Sequence, residues 1–370
     1  MLKLFTRHIF SITQCDYDKS TYNKNLHKVF SKKEFYEKFP DYKPFKVMKS
    51  SMTHYDYKYN FGLNKIENYK PNGECSEGGF YLCDKSEIID YISYGENIAS
   101  VSLPDNALIY LEKSKIKVSE LYLDKIIDIK TFFNNCSYQE QLLYVKNKAF
   151  ILRYIDNQTD EICKLAVQKD GSALKYVQNQ TYEICKLAVQ QNGWALGYVK
   201  NQTDEICKIA VQQDGYALCY VKNQTDEICK LAVQKDGRAL KYVQNQTDEI
   251  CKIAVQQYGP YLEYVKNQTD EICKIAVQQN DLAFYYVKNQ TDEICKMAVQ
   301  KHGLYLKYVK EQTDEICKIA VQKDGYTLCY VKNQTYEICK LAVQQNRWAL
   351  GYVKNQTLLN MLILNYHAFF

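Results

Sequence analysis

The sequence predicts a mostly α protein: an α-solenoid of nine 22-residue helix-turn-helix repeats, preceded by a small α+β domain. Three observations carry this expectation. Residues 157–354 are nine copies of one 22-residue unit, the first reading NQTDEICKLAVQKDGSALKYVQ. Each copy places a Thr ahead of apolar residues at helical spacing. Upstream the texture changes, with four of the five Pro and short apolar runs separated by turn residues. A module of this length cannot bury an apolar face alone, so neighbouring copies must stack.

In chain order, the expected organisation is a small α+β domain over 1–134, a capping unit over 135–156, nine helical repeats over 157–354 and a C-terminal cap over 355–370. In the first part, residues 32–37 (KKEFYE) read as a surface helix. Residues 79–83, 98–103 and 107–111 read as strands, the second ended by Pro104-Asp105-Asn106. Residues 86–92 read as a helix capped by Ser86. Residues 135–156 fit the repeat frame poorly, with Leu152, Tyr154 and Ile155 in register. The last stretch begins NQT and then departs. Atypical end units are what capping a stack requires.

Within a unit, Thr159 reads as a helix N-cap whose hydroxyl accepts from an orphaned backbone N–H. Asp160 and Glu161 then suit the positive end of the helix dipole. Ile162, Cys163, Leu165, Ala166 and Val167 fill one side of the helix, and Asp160, Glu161, Lys164 and Gln168 the other. A second cap follows at Asp170, a column that is Asp or Asn in seven of nine units, with Gly next in seven of nine. Ala173, Leu174 and Val177 then share a helical face, and Pro260 falls in the first turn, where a helix tolerates it. Two short helices of about two turns result, each about 12 Å long at 1.5 Å per residue. The rival is a β-containing solenoid, since Tyr and Val favour strands.

Near-identity of the units (residues 179–203 and 333–357 differ only at Gly193 against Arg347) indicates recent copying. Variation is therefore the informative signal. It is greatest in two columns three residues apart: Ser172, Trp194, Tyr216, Arg238, Pro260, Leu282, Leu304, Tyr326, Trp348, and Lys175, Gly197, Cys219, Lys241, Glu263, Tyr285, Lys307, Cys329, Gly351. Core sites tolerate such changes of volume and charge badly, so both columns are expected at the surface. Trp, Tyr and Arg are the residue types of binding hot spots. The expected protein-binding residues are Trp194, Tyr216, Arg238, Lys241, Glu263, Tyr285, Tyr326 and Trp348. The alternative is neutral drift on an unused face of a purely structural repeat protein.

Other columns have plainer readings. Nine of the 15 Cys form one column among apolar residues, without zinc-ligand spacing, and read as small core residues. The Tyr column from Tyr176 to Tyr352 sits at the rim of the core face. The Asn-Gln-Thr triplets match a glycosylation acceptor, but Thr as cap and Asn in the turn account for them. An odd Cys count does not describe a disulfide framework, and a reducing intracellular setting is expected.

Net charge is +5, and residues 157–354 carry 25 Lys+Arg against 23 Asp+Glu, so neither nucleic acid nor a membrane surface is expected as partner. Residues 1–14 are broken by Arg7 and His8 and lack the apolar stretch of a secretion signal. No cofactor motif, metal motif or nucleophile triad is recognisable, and the chain is expected not to be an enzyme.

Two resemblances follow. Residues 73–110 (GECSEGGFYLCDKSEIIDYISYGENIASVSLPDNALIY) resemble the segment found ahead of ankyrin arrays in large DNA viruses of amoebae, and the units NQTDEICKLAVQ/DGxALxYV are similar to a 22-residue repeat of uncharacterised proteins from those viruses. The resemblance implies a viral protein made in the host cytoplasm, and supplies no activity. More distantly, His54, Gly62-Leu63 and Gly78-Gly79-Phe80-Tyr81 are similar to ADP-ribosyltransferases. That resemblance implies a His and a Tyr flanking a nicotinamide, with Glu120 orienting the ribose. A lone His among Tyr residues is more often structural.

Overall fold

Residues 44–48 alternate in burial, as a strand does when one face meets a core. Other strands of the first part are buried on both faces, as β9 is throughout (Ile116–Val118), and the described portion of this part is sheet-rich. The computed structural model describes residues 19–54, 57–72 and 76–364. The opening stretch 1–14, positions 73–75 of the virus-like run and the last six residues of the expected C-terminal cap lie outside the described residues. The chain divides into two compact units, 1–187 and 188–370.

Among the described residues of the first unit, the helices α1 (Lys19–Lys24) and α2 (Lys32–Lys38) accompany ten strands. These are β1 (Val29–Ser31), β2 (Pro44–Met48), β3 (Thr53–His54), β4 (Tyr57–Lys58), β5 (Gly62–Lys65), β6 (Phe80–Asp84), β7 (Asn97–Ser102), β8 (Leu108–Leu111), β9 (Ile116–Val118) and β10 (Glu120–Asp128). β3 and β4 form a hairpin; the other eight make an antiparallel sheet in the order β1-β8-β9-β6-β2-β7-β10-β5. Only Ser119 separates β9 from β10. One stretch of chain therefore pairs with β6 and β8 in its first part and with β7 and β5 in its second. Because β6 pairs with β2 and β2 with β7, the pairing returns on itself.

The core of this sheet is aromatic. Phe35 of α2 is fully buried, with the rings of Phe39 and Tyr42 centred 5.1 and 5.2 Å away. The helix lies at the surface as expected, with Lys33, Glu34, Glu37 and Lys38 exposed, and its one buried ring fixes its place. Ser31 and Glu34 close a capping box at its start. The three expected strands are found as β6, β7 and β8. The expected helix over 86–92 is instead a 3-10 helix, Lys85–Asp90, followed by a second at Ile92–Tyr94. Its cap is Asp84, which accepts from the Ser86 N–H at 2.9 Å, so Ser86 lies inside the helix.

The helices α3 (Ile129–Asn135) and α4 (Tyr138–Asn147) follow, then a 3-10 helix at Ala149–Tyr154. Thus 135–156, whose sequence barely fits the frame, already has the long-helix, short-helix pattern of the repeats.

Each repeat is a ten-residue α-helix followed by a six-residue 3-10 helix, from Asp160–Lys169 with Gly171–Tyr176 to Tyr336–Gln345 with Arg347–Tyr352. No strand occurs over 157–354, which removes the β-containing alternative. The long helices begin as the Thr column requires: the backbone N–H three residues on donates to the Thr hydroxyl at 3.3–3.4 Å in eight units. Thr291 alone makes no such bond. Ile, Cys, Ala and Val of each long helix are buried, whereas Leu165 and its equivalents are half-buried.

The short helix departs from the expected α-helix. The Asp170 carboxylate takes the Ser172 N–H at 2.9 Å, and Ala173 and Val177 N–H bond three residues back rather than four. Six residues at about 2.0 Å per residue still span roughly 12 Å. Tyr258 and His302, which break the Asp/Asn column, make no side-chain cap bond. In the second unit, each long helix from 204–213 onward packs on the next, up to the terminal helix Gln356–Leu364.

Candidate interaction surface

A 3-10 helix has three residues per turn, so positions i and i+3 eclipse. The short helix is accordingly a three-sided rod. Gly171, Leu174 and Val177 form its buried side; Ala173 is buried while Tyr176 on the same side is half-buried; Ser172 and Lys175 face outward. The two variable columns are this outward side. Of the first column only Pro260 is buried, against the expectation, and Ser172 and Tyr216 are half-buried; the rest are exposed. Of the second column, all are exposed except half-buried Cys329.

Trp194 donates its indole N–H to Asp214 at 2.7 Å and meets Tyr220 edge-on at 5.6 Å. Tyr216 sits 5.8 Å from Tyr242, with the Arg238 guanidinium 5.1 Å and the Lys241 ammonium 4.8 Å over its ring. Arg238 also grips Asp236 through two nitrogens at 3.0 and 2.7 Å, which holds that carboxyl below its usual range. Exposed Glu263 accepts from Tyr264 and pushes that phenol up to about 12. Tyr285 meets Tyr308 at 4.7 Å, Tyr326 meets Tyr352 at 6.0 Å, and Trp348 lies under Arg347 at 4.9 Å. The recurring partner is the Tyr column of the following unit, so the expected residues form local aromatic and cation–π clusters. Leu282, Leu304 and Tyr330, outside the expected set, border a surface cavity of about 470 Å³ beside Tyr285 and His302. The two Leu belong to the first variable column, a signal already visible in the sequence.

The frame beneath is held by a column to which the sequence pattern assigns no role. Gln202 donates to the Leu196 and Tyr220 carbonyls at 3.3 and 2.9 Å, and accepts from the Lys222 N–H at 3.0 Å and the Cys207 thiol at 3.7 Å. One amide thus ties the end of one short helix to the end of the next. Gln224, Gln246 and Gln312 repeat the pattern. The Cys column is core, as its apolar neighbours suggest, and its thiols serve the clamp. Burial first, then the neighbouring Asp, raises Cys163, Cys207 and Cys229 to about 11, which keeps them protonated. On the long helices, exposed Lys–Glu pairs link neighbouring units, as in Lys208–Glu227 and Lys230–Glu249, both at 2.6 Å. Such pairs contribute roughly 0–1 kcal/mol each.

In the sheet-rich part, His54 and Tyr81 line the same clefts, whereas Glu120 does not line them. Glu120 is buried on β10 with Lys65 at 3.8 Å. Of the transferase-like trio, His54 and Tyr81 share a cleft. The glycines of that resemblance have backbone reasons: Gly62 and Gly78 have φ of +86° and +87°, which favours glycine. A Cβ on Gly79 would lie 2.5 Å from the buried Lys117 side chain.

Residues 159–203, 181–225, 203–248 and 291–335 each match the family described as domain of unknown function (DUF4116). The chain is a helical repeat protein. It is similar to two ankyrin repeat proteins of Acanthamoeba polyphaga mimivirus, 36% identical over 66 residues and 34% over 62. These stretches cover 17% and 16% of this chain, which spans only 11% and 19% of those relatives' length. No solved structure matches. Among the described residues no helix is long and apolar enough to cross a membrane, and no group of three or more His, Cys, Asp or Glu could hold a metal.

Proposed function

We propose that this repeat protein is a non-enzymatic interaction scaffold: an α-solenoid whose outward short-helix faces bind a protein partner, without nucleic acid or membrane. The observation that carries the reading is the coincidence of variability with exposure. The positions that changed most since copying are the outward side of the short helices, and they carry Trp, Tyr and Arg over a Gln-clamped frame that varies little. Exposed aromatic residues beside orienting charges suit a protein surface, where Tyr, Trp and Arg anchors dominate. The near balance of charge over 157–354 gives no electrostatic steering toward phosphate chains. Kinship to ankyrin repeat proteins supports a scaffold without naming its partner.

The test uses the full chain as bait in extracts of the cells that make it, with two triple variants beside the wild type. Replacing Trp194, Tyr216 and Arg238 by Ala removes the outward anchors. Replacing Lys208, Lys230 and Lys252 by Ala removes long-helix charges and leaves the anchors in place. A specific partner lost from the first variant and kept by the second, at equal helicity by circular dichroism, is expected. Equal recovery by wild type and the first variant overturns the reading.

A further inference from the structure

A second site lies in the sheet-rich part, beside β2 and His54 of β3. Two cavities, of about 270 and about 440 Å³, share Lys46, Val47, His54 and Tyr94 in their walls. Each is close to the size range of small-ligand pockets, roughly 300–1,000 Å³. The first adds Lys115, the second Lys49, and among the described residues no carboxylate lines either.

Lys46 is the unusual member. Its residue is only 4% exposed, and among the described residues no carboxylate pairs with it. Its ammonium donates to the Tyr81 carbonyl at 3.2 Å and stands 4.9 Å over the Tyr59 ring. Lys115 stands 4.4 Å over the Tyr81 ring, with Glu112 3.6 Å away. Ring and carbonyl aim the Lys46 ammonium without neutralising it, and a buried charge without a counter-ion is costly. The imbalance shows in the titrating groups. Burial brings Lys46 down to about 8. Burial, with Lys46, Lys49 and Lys115 adding, brings His54 down to about 4. At the mouth, Tyr94 is 64% exposed and its ring lies 6.3 Å from that of Tyr91.

We propose that this cleft binds a small anion bearing a flat ring, of the nucleoside monophosphate class, with Lys46, Lys49 and Lys115 around its phosphate and Tyr91 and Tyr94 against its ring. The phosphate supplies a counter-charge to Lys46, and exposed Tyr94, with half-buried Tyr91 beside it, offers a face on which a base stacks. The scaffold reading does not depend on this site.

The full-length protein is titrated calorimetrically with AMP, inorganic phosphate and adenosine, and the His54 ring is followed by NMR. AMP is expected to bind more tightly than phosphate, adenosine not to bind, and saturation with AMP to move the His54 titration upward from about 4. Lys46→Met is expected to weaken AMP about tenfold or more, the scale of a charged hydrogen bond. Should that buried change unfold the protein, the exposed positions carry the test: Lys49→Gln weakens AMP and phosphate alike, and Tyr94→Ala weakens AMP alone. No binding of AMP, equal binding of AMP and either fragment, or AMP affinity untouched by Lys49→Gln and Tyr94→Ala overturns the proposal.

Discussion

A Cβ built on Gly215 would lie 2.5 Å from the Ala232 carbonyl oxygen of the next unit's long helix, and the same closeness recurs at Gly193, Gly259, Gly303 and Gly325. This column is glycine because two backbones touch. At its two exceptions, Arg347 is exposed and Asp281 is half-buried and meets His302 at 3.2 Å. Gly351, by contrast, has open space where a Cβ would stand, with nothing within 4 Å of it. Gly215→Ala should therefore destabilise the protein by about 1–3 kcal/mol, as overpacking does. Gly351→Ala should be neutral or stabilising by up to about 1 kcal/mol through the unfolded chain. Urea unfolding of both variants against wild type checks the contrast; equal midpoints would refute it. At this scale the sequence was legible where a side chain acts on its own helix. The Thr and Asp/Asn caps were readable because a cap bonds two or three residues away. The Gln clamp was not, because the Gln202 amide bonds carbonyls 6 and 18 residues away, and its constancy could not be told from recent copying.

Elements show the same boundary between local and distant causes. The long helix was fixed by its 3.6-residue apolar period. The short one looks α-helical in sequence because six residues give too few repeats to separate a period of 3.6 from one of 3.0; its i−3 bonds follow from a cap at each start. Among the strands, β6, β7 and β8 were readable as short apolar runs between turn residues, but β2, β9 and β10 carry Lys46, Lys117 and Glu120 inward, which breaks such runs. Of the His54 cleft, His54 and Tyr81 are singled out in the sequence but Lys46 and Lys115 are not, because its walls come from β2, β3, β6 and the loop before β9. The β3–β4 hairpin should also sense acid. In the folded protein His54 stays neutral down to about pH 4, whereas its unperturbed value is 6.5. Between these values the unfolded chain binds more protons, so stability is lost as pH falls from 6.5 toward 4. His54→Gln should reduce that loss relative to wild type, and denaturant midpoints across this range measure it. Identical slopes would mean that His54 is neutral for another reason or contributes nothing.

For the molecule as a whole, the decisive quantity is the 22-residue period. Contacts between repeats run between adjacent copies within 188–370, so stability should be close to a sum of unit and neighbour terms. Excising residues 223–244, one full period, should leave helicity per residue unchanged by circular dichroism and lower the unfolding midpoint modestly. Excising residues 223–233, half a period, should abolish cooperative unfolding of the repeats. Equal behaviour of the two deletions would show that the period does not set the folding unit. The repeat part of the fold was therefore almost wholly legible, since one module explains nine, while the sheet-rich part, without internal repetition, was legible only in pieces.

The Gln clamp has one more consequence. Two of its acceptors are main-chain carbonyls, which every residue supplies, so the seam is indifferent to which side chains stand on either side. A segment duplicated by recombination arrives with a working joint, and its outer residues are free to diversify without any compensating change at the seam.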